Sequence, residues 1–162
     1  MKIRIANKSD VDKIMKIYDV ARAYMKDNGN PNQWKNGYPD QELIRYDISQ
    51  EQLFLVERNE EILGVLVFIM GEEPTYQVIE QGNWNLEKEY GTIHRIASSG
   101  KMKGLTKACF DYCTERIDYL RIDTHQNNKT MQAAIEKYGF RKCGIIYVRN
   151  EERIAFDYIV RK

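Results

Sequence analysis

The sequence is poor in the features that mark several protein classes. Its three cysteines, Cys109, Cys113 and Cys143, are too few, and odd in number, for a disulfide framework in a chain of 162 residues. Cys109 and Cys113 have helical spacing, but no second Cys or His pair completes a metal site, so no metal is expected. Buried, reduced thiols are the simple reading. The formal net charge is only +1, which removes any global attraction to nucleic acid or acidic membranes but leaves room for a local basic spot. The longest apolar run, Val65 to Met70, is far too short to span a bilayer. The opening residues, Met1-Lys2-Ile3-Arg4-Ile5, alternate with charge and contain no signal-peptide apolar region. A cytoplasmic protein is therefore expected, with neither nucleic acid nor membrane as a partner. No internal repeat, low-complexity tract or linker divides the chain, so one domain is expected across 1–162.

What is present is a core-forming pattern. Hydrophobic residues at 43% and charged residues at 30% suit a globular chain rather than a disordered one. Ile3 to Ala6 reads as a first strand, and Asn7 or Ser9 can cap the helix that follows, in which Val11, Ile14, Met15, Tyr18, Ala21 and Met25 recur at helical spacing. That helix stops near Asn28-Gly29, and a second helix is expected over Asp40 to Ile48. Gln52 to Arg58 and Ile62 to Met70 form a hairpin around Asn59-Glu60-Glu61, the second arm apolar enough to be a central strand covered on both faces. Residues 71–90 are polar and weakly patterned and read as an excursion. Thr92 to Ala97 is a strand; Leu105, Ala108, Cys109, Tyr112 and Cys113 form one helical stripe; Tyr119 to Thr124 alternates as a strand. Asn128 caps a last helix closed by Gly139, and a final hairpin turns at Asn150-Glu151-Glu152. The order is strand, two helices, three strands, helix, strand, helix, two strands: an α/β single domain with a mixed, mostly antiparallel sheet of about seven strands and about four helices.

One loop invites chemistry. Ala97-Ser98-Ser99-Gly100-Lys101-Met102-Lys103-Gly104-Leu105-Thr106 is small, basic and glycine-containing, and it joins a strand to an amphipathic helix. The first amides of a helix lack internal partners and carry partial positive charge, so such a turn suits a phosphate or diphosphate. It lacks the Gly-Lys-Ser/Thr ending of a Walker loop and the Gly-x-Gly-x-x-Gly spacing of a dinucleotide fingerprint. A solvated basic loop with glycines for turn geometry is the plainer alternative.

The order of elements, this loop, Asn128 at the start of the last helix and Gly139-Phe140 after it together resemble the GNAT N-acetyltransferase superfamily over nearly the full chain. Family members carry Gln/Arg-x-x-Gly-x-Gly/Ala in the loop after the fourth strand. Here Lys101 replaces Gln/Arg, Gly104 matches, and Thr106 replaces Gly/Ala. The resemblance implies acetyl-CoA as co-substrate and direct transfer to a small-molecule amine or amino acid in a ternary complex. It implies pantetheine contacts at Arg95, Ile96 and Ala97, an oxyanion held by amides around Ile96 and Ala97, and CoA contacts from Ser99, Gly100, Lys101, Lys103, Gly104, Leu105, Thr106 and Asn128. Among partners it allows a homodimer.

For the base, the resemblance places His94, His125 and Asp123 near the opening between the fourth and fifth strands, and a histidine titrates in the useful range. The acid is unassigned: Ile135 stands where many relatives carry a tyrosine, and Tyr138 lies at a different angle of the helix. No nucleophile-elbow pattern supports a Ser-His scheme. Gln33, Trp34 and Tyr38 in the loop after the first helix are the expected acceptor contacts, with Trp84 a weaker one; aromatic rings that pin this loop to the core would look the same in sequence. The missing tyrosine keeps a second class open, a non-catalytic acyl-CoA-binding module or sensor.

Overall fold

A computed structural model describes residues 1–161. They form strands β1 (Lys2–Ile5), β2 (Leu53–Arg58), β3 (Glu61–Met70), β4 (Gly91–Ser98), β5 (Tyr119–Thr124), β6 (Arg141–Val148) and β7 (Glu151–Ile159), and helices α1 (Val11–Asp27), α2 (Gln41–Ser49), α3 (Leu105–Thr114) and α4 (Lys129–Tyr138). The strands make one sheet in the order β1-β2-β3-β4-β5-β7-β6. Every neighbouring pair is antiparallel except β4 and β5.

Local chemistry sets the element ends. Asn7 and Asp10 make a reciprocal capping box over the short 3-10 turn Lys8–Asp10 that leads into α1. Asp40 Oδ1 accepts the amide of Leu43 at 2.9 Å and starts α2. Asn128 Oδ1 accepts the amide of Met131 at 3.1 Å and starts α4, which Gly139 ends at φ 117°. Arg149 and Asn150 both have positive φ, as do Asn59 and Glu60, the backbone of tight two-residue hairpin turns. The last hairpin therefore turns one residue earlier than the sequence suggests, and β7 begins at Glu151.

Strand β3 is covered on both faces, as its composition implies. Leu66 and Phe68 join Ile93, Leu120, Ile122 and Phe156 beneath α3 and α4. Val65 and Val67 join Leu53, Leu55 and Ala97 beneath α1 and α2. Gly64 permits the close approach of α3: a Cβ there would lie 2.4 Å from a methyl of Leu105. Beyond the reach of α1 and α2, residues 71–90 take over the covering of this second face. Tyr76, Trp84 and Tyr90 pack with Tyr119, Cys143, Ile146 and Ala155 in a core of their own. The segment is tied down by Trp84 Nε1 donating to Tyr76 O at 2.9 Å, by Asn85 donating twice to Asp157 at 2.8 Å, and by a bridge between Glu80 and Ile145. A cavity of about 410 Å³ remains at the seam between the α1–α2 layer and this segment. No helix of the described residues is long and apolar enough to cross a membrane.

Candidate active site

The parallel pairing of β4 and β5 covers only Gly91–Ile93 against Leu120–Ile122. Beyond it the strands part, and the next residues, His94 and Asp123, stand at the fork. A bulge on β4 contributes to the parting. Val67 pairs with His94 and Val65 with Ala97, so Arg95 and Ile96 together oppose the single residue Leu66. Arg95 sits at φ 49°, a left-handed conformation that costs a non-glycine residue about 1–3 kcal/mol.

Its neighbours hold it there. Tyr18 Oη donates to Arg95 O at 3.0 Å. Arg95 Nη2 donates to both carboxylate oxygens of Asp47 of α2, at 2.8 and 3.0 Å, and Nη1 donates to Tyr38 Oη at 3.2 Å. The Arg95 side chain is thus turned toward α2 and lines the seam cavity.

On the other side of the fork lies a slot of about 290 Å³ between α1 and α4, lined by Ile96, Ala97, Ser98, Gly100, Thr106 and Asn128 among others. Ser99 N donates to Leu63 O at 2.9 Å. The alternation of an antiparallel ladder then aims the Ala97 amide at β3 and the Ser98 amide away from it. Of the two amides expected at the oxyanion, that of Ala97 is therefore engaged toward β3. Ser98 and Ser99 accept the amides of Gly100 and Lys101 at 3.0 and 3.2 Å, so both shape the turn. Gly104 caps α3 at φ 79° with no side chain on the helix amides, and those of Leu105 and Thr106 open the helix. Lys101 reaches Glu61 at 3.4 Å on the surface, and exposed Lys103 lies one residue before Gly104. A diphosphate fits this arrangement: donors without intrahelical partners, positive side chains and a glycine that keeps the approach open.

The seam cavity carries the titratable groups. His94 Nε2 meets Glu73 Oε1 at 3.2 Å, and Glu73 Oε2 accepts the amide and hydroxyl of Thr75 at 2.8 and 2.9 Å. Burial opposes ionisation of Glu73, but the bonds from His94 and Thr75 outweigh it and bring its pKa down to about 2. Tyr76 Oη donates to Asp123 Oδ1 at 2.6 Å. Burial, then the Asp123 charge, push the phenol well above its usual range, so Tyr76 stays a donor. Tyr38, Trp34, His94, Asp123 and Arg153 all line this cavity.

The remaining predicted residues serve other ends. His125 lies outside the cavity lining; its Nδ1 accepts the amide of Asn127 at 3.0 Å in the turn into α4, and burial lowers its pKa. Gln33 lines the cavity, yet its Oε1 gathers Asn30 Nδ2 and Asn128 Nδ2, each at 3.1 Å, and so ties the loop to that same turn. Trp34 packs edge-on against Tyr18 at 5.5 Å. Trp84 is buried in the 71–90 core and away from the seam. Tyr138 donates to Asp111 at 2.7 Å, and Ile135 is fully buried, so α4 brings no phenol to the fork from either position. Glu73, Tyr76 and Arg153 escaped the sequence reading. The first two belong to the unpatterned excursion, and Arg153 occupies a polar position of an alternating strand.

Known structures share this architecture. An acetyltransferase of the GNAT family from Streptococcus agalactiae 2603 superposes with a TM-score of 0.92 at 30% identity, over 99% of this chain and 96% of that one. A GNAT-family acetyltransferase from Listeria monocytogenes 4b F2365 gives a TM-score of 0.71 at 19% identity, over 98% and 94% of the two chains. The yncA protein of Salmonella typhimurium, whose structure includes its cofactor acetyl-CoA, gives 0.65 at 14% identity over 100% and 95%. These last two speak for the fold alone. No family model matches the sequence, and no curated protein does.

Proposed function

The chain belongs to the GNAT family of acetyltransferases, and from that premise we propose that it is an N-acetyltransferase carrying an acetyl group from acetyl-CoA directly to a small-molecule amine within a ternary complex. The observation that supports this most is the fork itself. One split between β4 and β5 is flanked by an anion-ready helix start and slot on one side and by a cavity holding His94, Glu73 and Asp123 on the other.

Each task of the transfer has a candidate in this chain. The amides of α3 and the Ser98–Thr106 loop would hold the diphosphate, and the slot would hold the pantetheine arm. The Ile96 amide, which lies in the bulge, would stabilise the oxyanion. His94 is the proposed base: with Nε2–H donated to ionised Glu73, Nδ1 keeps a lone pair for the ammonium proton. Asp123 would hold that ammonium. The leaving thiolate takes its proton from solvent. All three cysteines are buried with thiol pKa values raised by that burial, so a ping-pong route through a cysteine has no accessible nucleophile among the described residues.

The test begins with melting temperature. Acetyl-CoA at a hundred times its dissociation constant should stabilise the protein by about 2.7 kcal/mol, and ATP should not. Release of free thiol with a panel of small amines then separates an enzyme from a CoA-binding module. Absence of any shift with either CoA species would reject the cofactor assignment; a shift without thiol release would favour the module.

His94→Gln should lower kcat/KM about 100-fold at neutral pH, with acetyl-CoA affinity unchanged, the scale of a lost general base. Rates converging with those of the native protein as pH rises, where the free amine needs no base, would mark the role as proton removal. An equal loss at every pH would assign His94 to structure instead.

A further inference from the structure

The charge layout of the seam cavity narrows the acceptor further. Ladder pairing sets Asp123 opposite Ala155, so Arg153, two residues along β7, projects from the same face as Asp123. It is a diagonal neighbour of Asp123, with Cα atoms about 7–8 Å apart. The Arg153 side chain is only 3% exposed. Its Nη1 is engaged by Glu151 Oε2 at 3.3 Å and Glu152 O at 3.2 Å. Its Nε and Nη2 have no hydrogen-bond acceptor among the described residues, although the side chain lines the cavity. That guanidinium edge is open to the cavity rather than sealed in the core, and its geometry matches a planar carboxylate.

The opposite charge is also incompletely answered. Asp123 Oδ1 is taken by Tyr76, while Oδ2 receives no hydrogen bond among the described residues. Of the other charges in the lining, Asp47 and Arg95 neutralise each other, Glu73 is engaged by His94 and Thr75, and Glu72 is solvent-exposed at the rim. A second guanidinium, Arg149, lies over the Tyr38 ring at 4.4 Å on the rim, on the same hairpin as Arg153. Available negative charge therefore sits at the β4–β5 fork, and available positive charge sits on the β6–β7 hairpin.

Building on the acetyltransferase reading of this same cavity, we propose that the acceptor is a free α-amino acid, its ammonium held at Asp123 beside His94 and its carboxylate anchored by Arg153. The two charged ends of such a molecule are separated by two bonds through one carbon. Side chains converging from diagonal positions, each across a hydrogen bond of about 3 Å, meet both ends at once. A simple monoamine would leave the Arg153 edge unanswered, and a polyamine would bring extra positive charge against two guanidiniums. The volume of about 410 Å³ is of small-molecule size.

The test compares the twenty free α-amino acids with their carboxamides, by thiol release with acetyl-CoA and by calorimetric titration of the protein with and without CoA. At least one free amino acid should be preferred over its carboxamide by about thirtyfold or more in kcat/KM, since a site built around a carboxylate rejects the analogue without its charge. Arg153→Gln should bring that ratio near one, chiefly through KM, and Arg153→Lys should restore part of it. A carboxamide or decarboxylated amine used as well as the amino acid would overturn the proposal, as would a preference that survives both substitutions. Acetyl-CoA binding with no amino acid bound or acetylated would overturn it too. If acetyl-CoA itself fails to bind, the acetyltransferase reading falls, and titration with amino acid against carboxamide still decides whether the cavity recognises a zwitterion.

Discussion

Replacing Gly104 by Asp is expected to weaken CoA binding about a thousandfold while leaving the fold intact. Nothing lies within 4 Å of where a Cβ would stand at Gly104, so the new side chain meets open space. The backbone is left-handed there, φ 79°, and Asp is one of the few residues that tolerates this, at a cost of about 1–2 kcal/mol or less. The damage falls on the ligand. A carboxylate at the start of α3 can accept from the very amides the diphosphate needs, and it sets like charges against each other, which costs several kcal/mol. A thousandfold corresponds to about 4.1 kcal/mol. Gly104→Asn separates the two effects: it keeps the backbone and capping consequences without the charge and should lose only about tenfold, the scale of one neutral hydrogen-bond competition. Calorimetric titration with CoA, alongside the melting temperature, checks both. Unchanged affinity in Gly104→Asp would place the diphosphate elsewhere.

Asp47→Ala should cost about 3–5 kcal/mol of folding stability, the range for removing one partner of a buried ion pair. Asp47 is 1% exposed and accepts two bonds from Arg95 and one from Gln52 Nε2 at 2.8 Å. Without it the Arg95 guanidinium, whose Nε already lacks a partner, would keep only Tyr38. The same pair holds the left-handed bulge, so acetyl transfer should fall as well, even though Asp47 belongs to no proposed chemical step. Urea unfolding measures the stability. Asp47→Ala combined with Arg95→Leu should recover part of the loss, because no uncompensated charge is then buried. A single-mutant loss below about 1 kcal/mol would show that solvent reaches Arg95 freely.

Much of this was legible in the sequence because it rests on local signals. Asn128 and Gly139 announce the two ends of α4, the apolar run in β3 announces cover on both faces, and the glycine-containing loop before Leu105 announces the start of α3. The hydrophobic alternation of Ile154, Phe156 and Tyr158 also held, with those side chains on the α3–α4 face. What alternation hides is the second face. Arg153, Ala155 and Asp157 occupy the positions that would face water on a one-sided strand, yet all three are buried: the 71–90 segment covers Ala155 and Asp157, and Arg153 lies in the wall of the seam cavity. That cover is non-local. Tyr76 finds Asp123, and Asn85 finds Asp157, across long stretches of chain. No spacing rule connects such pairs, and the seam cavity is therefore the part of the structure the sequence conceals most.

The way that cover is attached has a consequence for descent. Residues 71–90 share a hydrophobic cluster with the sheet and fasten to it through Asn85 and Glu80, while only the stretch Glu72–Thr75 borders the seam. Changes in that short border can reshape what the cavity admits without disturbing the fork or the α3 loop. On the proposed reading, acceptor preference and acetyl-CoA use fall to separate parts of the chain, so lineages of this fold could diverge in the one while inheriting the other.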